Sequence, residues 1–378
     1  MTSATLDWAI DRSGKSISAL QKHFAHLDDW RSGTKRPTLT QLRKFAQATF
    51  TPFGYLFLEV PHAERLPLPY FRTPAGLAPP SPTANLLDTV FAMQRRQAWA
   101  REYLGEQGQR AVPLVGSAQL GELPGDTARR LRTLLDLDDG WARAQATWAD
   151  ALRHLIAVLD THGVMVVVNG VVGNNTRRPL SVSEFRGFAM SDDLAPLLFV
   201  NGADAKGAQL FTIAHEVAHL AFGKSAAFDL RNLLPADDPT EKACNDVAAE
   251  FLVPAGLLQS YWNEVRDQED WVGLIARQFK VSRIVAMRRA LDLSLIGRSQ
   301  FFELYNEQSQ RDRAPRQSTG GNFTAMQRYR VGALFGRLVA TAAREGTIPY
   351  TEALGLTDLS GQTFDQFVQS LHHAGGRP

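Results

Sequence analysis

The residues with the clearest capacity for chemistry lie in AQLFTIAHEVAHLAFG, Ala208 to Gly223. On a helix, His215 and His219 are one turn apart and leave the same face, so their imidazoles can share one metal ion. Glu216 sits beside the first histidine, where its carboxylate can reach a water at the ion's open position and take its proton as a peptide carbonyl is attacked. This is the HExxH spacing of zinc-dependent peptide hydrolysis, and nine histidines in 378 residues do not produce it readily by chance. Leu210, Phe211, Ile213, Val217 and Leu220 make the helix apolar on nearly every side, which predicts burial. Two imidazoles and a carboxylate without partners are costly there, and an ion that accepts both rings removes the cost. The plainer alternative is a hydrogen-bonded histidine pair in the core.

A hydrolytic zinc site takes a third protein ligand and leaves its fourth position to water. The candidate stretch is DDPTEKACNDVAAEFLVP, Asp237 to Pro254. Asp238, Pro239 and Glu241 give a cap, a first-turn proline and an acid at the third helical position, so a helix starts here. Glu241, Asn245, Ala248 and Leu252 share the face expected to look inward, while Asp246 and Glu250 share another about 100° away. Glu241 is therefore the candidate third ligand, and Asn245, one turn on, can hold a ligand histidine by its second ring nitrogen. Glu241 can also be read as a capping-box glutamate, and Glu250 reads as a solvated acid. The single cysteine, Cys244, reads as a small core side chain, with metal ligation as its alternative.

HEVAHL followed by EKACNDVAAEFLVP resembles the ImmA/IrrE family of zinc metallopeptidases, whose motif is HExxH and then a glutamate on a helix reading roughly ExxxNxxAAxxLxP. The resemblance implies one zinc ion held by His215, His219 and Glu241, with Glu216 as the catalytic residue and Asn245 at the family's usual asparagine position. It further implies an endopeptidase that cuts a regulatory protein, a repressor or antitoxin, during a stress or phage response. The stretch WRSGTKRPTLTQLRKFAQATFTPFGYLFL resembles the back half of an Xre-type helix-turn-helix domain. The front half departs from it, because the chain between Ser16 and Trp30 is too short for both a scaffold and a recognition helix. That segment also carries Asp28 and Asp29, which phosphates repel. Lys35, Arg36, Arg43 and Lys44 either touch backbone phosphates or form a solvated face. In extent, the start, the proline-rich connector, the sheet segment and the tail resemble bacterial Xre-type regulators fused to ImmA/IrrE peptidases. A different class stays open: a DNA- or partner-binding regulator whose zinc site is structural or vestigial.

Composition sets wide bounds. Hydrophobic residues at 44%, charged residues at 21% and a net charge of +2 are ordinary for a globular protein and neither demand nor exclude nucleic acid. One cysteine excludes an internal disulfide framework and suits a reducing compartment. No apolar run approaches a membrane span, and no secretory signal is visible at the start, so a cytoplasmic protein without membrane attachment is expected.

The elements that must position these residues give a mostly helical α+β chain with a zincin-like catalytic domain. Residues 1–60 read as HTH-like helices, with segments at Leu6–Asp11 and Ser16–Phe24 and a longer one from Thr38. A proline-rich connector follows at 61–82. The metallopeptidase domain spans 83–297. In it a long helix follows Thr83, two more lie near Thr127–Leu137 and Trp141–Thr161, strands are expected at VMVVV, FRGFAM and PLLFVN, and NGVVGNNTRRPL makes a turn and a return between the first two. A small twisted sheet leads into the HExxH helix, with PLLFVN as the strand lining the cleft. Arg177, Arg178 and Arg186 either stabilise an oxyanion or are strand-surface charges. Ser225 to Pro239 is a loop that lets the chain return to the histidines. WVGLIARQFKVSRIVAMRRALDLSLIG reads helix, turn, helix, with Arg283, Arg288 and Arg289 in a structural cap rather than a nucleic-acid surface. Residues 298–378 hold a linker at Ser309–Asn322 and a C-terminal helical domain, with helices at Phe323–Glu345, Tyr350–Leu354 and Phe364–Leu371 and with His372 and His373 expected in solvent.

Overall fold

The computed structural model describes residues 2–60, 82–224, 226–228, 238–311 and 323–373. The expected connector at 61–82 lies outside them but for Pro82, as do most of the loop before Pro239 and the side chains of His372 and His373. The architecture is α+β and mostly helical, in two compact units. None of its described helices is long and apolar enough to cross a membrane.

The first unit contains α1 (Ser3–Ser13), α2 (Ile17–Gln21), α3 (Leu27–Ser32), α4 (Leu39–Ala48) and a 3-10 turn at Phe53–Phe57. Side-chain oxygens of Thr2, Ser16 and Thr38 cap the starts of α1, α2 and α4, each accepting a backbone N–H three residues on. Leu6, Leu20, Leu27, Trp30, Phe45 and Leu56 form its core. Helices α2 and α3 span five and six residues, too short for the recognition helix of a helix-turn-helix. Lys35 and Arg43 are exposed, yet the Lys35 ammonium lies 2.9 Å from His26 Nε2, and the Arg43 guanidinium lies over the Phe53 ring.

Helix α5 (Ala84–Glu106) starts in the first unit and continues into the second from residue 92. There follow α6 (Pro124–Leu134), α7 (Trp148–Thr161), β1 (Met165–Asn169), β2 (Val171–Val172), β3 (Asn175–Pro179), β4 (Gly187–Met190), β5 (Leu197–Asn201) and α8 (Lys206–Ala221). Then come β6 (Ala226–Phe228), α9 (Pro239–Leu252), α10 (Ala255–Val265), α11 (Trp271–Phe279), α12 (Arg283–Asp292) and α13 (Arg298–Arg311). The chain closes with α14 (Phe323–Val331), α15 (Ala333–Glu345), α16 (Tyr350–Thr357) and α17 (Gly361–His373). The described start of the expected linker, 309–311, is still α13, and α10 and α13 were not anticipated from the sequence.

The main sheet has strand order β1-β5-β4-β6. Strand β1 runs parallel to β5 from Met165 opposite Leu197 to Asn169 opposite Asn201, while β4 is antiparallel to both β5 and β6. PLLFVN is therefore not the cleft-side strand. Its β5 is flanked on both edges, so its backbone groups are already paired, and β6 holds the outer edge beyond β4. The signal lay in Leu197–Val200, apolar at every position and buried throughout, which marks an interior strand covered on both faces.

Two helix boundaries also differ. The segment expected to start at Trp141 begins helically at Trp148, because Thr147 and Asp150 form a reciprocal capping box there. The single helix expected over Phe323–Glu345 is broken at Gly332, whose φ of 88° is left-handed and whose added Cβ would stand 3.0 Å from the Val166 carbonyl oxygen. The close approach that glycine permits lets α14 and α15 pack on β1.

Candidate metal centre

Helix α8 is buried along nearly its whole length, packed on β4 and β5 on one side and against α7 and α9 on the others. Helix α9 is started by Asp238, whose Oδ1 accepts the N–H groups of Thr240 and Glu241 at 2.7 and 3.2 Å, with Pro239 at the first helical position. Its C-terminal carbonyls are held by two arginines. Arg132 of α6 donates to the Glu250 carbonyl at 3.0 Å, and Arg289 of α12 donates to that of Val253 at 3.0 Å. Glu250 is therefore not a solvated acid. Its carboxylate pairs with buried Arg289 and accepts the N–H of Ala255 at 3.1 Å. Arg283 and Arg288 pair with Asp270 and Asp292 at 2.6 and 2.8 Å, in keeping with a structural cap.

Anchored in this way, α9 turns Glu241 toward α8. Its carboxylate lies 3.3 Å from His215 Nε2 and 3.1 Å from His219 Nε2, and the two Nε2 atoms are 3.0 Å apart. Both rings are fully buried and Glu241 is 5% exposed. Asn245 Oδ1 lies 3.1 Å from His215 Nδ1, a contact in which the ring N–H donates and the amide oxygen accepts, leaving a lone pair on Nε2. Lone pairs and a carboxylate brought together in this way repel one another unless a cation or proton sits among them. Ligand atoms about 2.0–2.1 Å from a tetrahedral zinc ion stand about 3.3 Å from each other, so these spacings suit that ion.

The electrostatics point the same way. Burial pushes His215 down to about 4, so its ring is neutral near pH 7, the form a metal binds. Burial alone would raise Glu241, but its contacts with both histidines hold it below the usual carboxylate range. Burial, aided by the charge of Glu241, pushes Glu216 well above that range. Both Glu216 oxygens are buried with no hydrogen-bond partner among the described residues. A carboxylate in such a setting takes up a proton readily.

Two neighbours of Glu216 were missed from the sequence. Thr212, one turn earlier on α8, buries a hydroxyl that has no partner among the described residues. Gly187 of β4 faces both. A Cβ there would stand 2.5 Å from Thr212 Cγ2, 2.8 Å from the Phe199 carbonyl oxygen and 3.3 Å from Glu216 Oε1. Helical spacing places Thr212 beside Glu216, whereas nothing local marks Gly187, which meets them across a strand-to-helix contact. Cys244 is fully buried one turn after Glu241, and its Sγ lies within 4.8 Å of ligand nitrogens of both histidines. Burial, with the charges of Glu241, Glu216 and Asp238, pushes the thiol up. Arg186 is paired with Asp204 at 2.9 Å, and Arg177 is exposed on β3.

The buried HExxH helix α8 is thus backed by a small mixed sheet and faced by the glutamate-bearing helix α9, the arrangement that a metallopeptidase-type site requires. Residues 160–291 match the Peptidase_M78 family model, described as an IrrE N-terminal-like domain, and this range includes all of α8 and α9. Residues 331–370 match a domain of unknown function, DUF8813. No curated protein matches the chain.

Proposed function

We propose that this protein is a zinc-dependent endopeptidase of the ImmA/IrrE type. The observation that carries the reading is the convergence of His215, His219 and Glu241 beside Glu216, whose buried carboxylate has no partner among the described residues. His215, His219 and Glu241 would hold the ion, and Asn245 fixes the His215 ring so that Nε2 faces it. Zinc bound there would supply Lewis acidity, polarising a carbonyl and making a water acidic near neutral pH. The Glu216 carboxylate would serve as the base that accepts a proton from water and as the acid that passes it to the leaving nitrogen. Gly187 leaves the space in which the Glu216 carboxylate sits. The motif resemblance supports a regulatory protein, a repressor or antitoxin, as substrate in a stress or phage response.

Glu216→Gln tests this reading. The amide keeps size and polarity but cannot accept the proton, so the variant should bind zinc as the parent does and lose cleavage by about 10²–10⁴-fold. The assay is co-expression with candidate repressors and antitoxins followed by detection of fragments. Fragments appearing at the parental rate would refute the assignment.

A further inference from the structure

Helix α9 presents two potential donors to the same pair of histidines. Glu241 touches both rings, and one turn later the fully buried Cys244 Sγ lies within 4.8 Å of their ligand nitrogens. A sulfur and a nitrogen bound to one tetrahedral zinc ion stand about 3.5 Å apart, so a change in side-chain torsion is the scale of movement that separates this thiol from ligation. The adjoining Glu216 carboxylate, fully buried and with neither oxygen partnered among the described residues, independently marks this part of the core as built for a polar or charged guest.

We propose that Cys244 is a ligand of the ion in a closed form of the site, in which sulfur occupies the position that hydrolysis requires for water. This rests on the reading of His215, His219 and Glu241 as a metal site and adds a second coordination state to it. The chemistry is a ligand exchange at the ion. The S–H bond is lost, a metal–sulfur bond forms, and the proton and the displaced water leave to solvent. The two states would differ in ion preference. A thiolate favours soft ions such as cadmium and zinc, whereas two imidazoles and a carboxylate with water also accommodate manganese.

The test is cobalt(II) added to the metal-free full-length chain and to its Cys244→Ser and Cys244→Ala variants, read by absorption. Tetrahedral cobalt bands in the visible report occupancy, and a sulfur-to-cobalt charge-transfer band in the near ultraviolet reports Cys244. The expected result is both signals in the parent and the visible bands alone in both variants, with circular dichroism of the variants matching the parent. Visible bands without the near-ultraviolet band in the parent would overturn the closed form and leave the metal site standing. No cobalt uptake by the parent would overturn both.

Discussion

At the scale of single residues, the site is a matter of which lone pairs face one another. His215 gives its Nδ1 proton to Asn245 and keeps a lone pair on Nε2, so in the proposed site Asn245 would act through ring orientation. Asn245→Ala should weaken zinc binding by about 10–100-fold while the helix content is preserved, measured by competition with a chromogenic chelator. Unchanged affinity would mean that packing alone orients the ring. HExxH and the cap, proline and acid that open α9 are local patterns, so the sequence alone singles out His215, Glu216, His219 and Glu241 as candidates, and the structure brings His215, His219 and Glu241 together. Glu250 was misread because its partner, Arg289, is distant in sequence, on α12. An acid on the less apolar side of a helix looks solvated until such a partner is known.

At the scale of elements, the contact between β4 and α8 sets where Glu216 can lie. Gly187→Ala would push a methyl group against Thr212 and the Phe199 carbonyl, which should cost about 1–3 kcal/mol and displace the Glu216 side chain. Urea unfolding checks the stability, and peptide cleavage should fall further than the stability loss explains. Equal stability of the variant and the parent would show that the strand yields. Strand existence was legible in the runs VMVVV and PLLFVN, but strand order was not. A fully apolar run states that both faces are covered without saying by what, so it does not distinguish a cleft strand from the interior strand that β5 is. The break at Gly332 was hidden for a related reason: helical periodicity runs through 323–345, and only the approach to the Val166 carbonyl shows why glycine is there.

At the scale of the whole molecule, the helices in the DUF8813 match belong to the same compact unit as the candidate metal centre. Buried Arg96 of α5 donates to the carbonyls of Arg330, Val331 and Leu356 at 3.2, 3.3 and 3.1 Å, tying α14 and α16 to that unit. Asp160 of α7, also buried, lies close to the backbone of Val166 and Leu334. Burial raises it to about 7 against the countering charges of Arg337 and Arg328. The folded chain therefore binds this proton more tightly than the unfolded one. The resulting stability is present in full below about pH 4 and is lost as the pH rises to about 7. Asp160→Asn should flatten this slope, leaving the variant more stable than the parent by up to a few kcal/mol at pH 8 and level with it near pH 4, as read from urea midpoints. Parallel pH profiles would show that Asp160 titrates alike in both states. The central claim, that α8 and α9 meet to hold one ion, is tested most directly by elemental analysis of purified protein. One zinc per chain is expected in the parent and in Glu216→Gln, with loss in Glu241→Ala exceeding that in Asn245→Ala. Full zinc retention by Glu241→Ala and His219→Ala would contradict it.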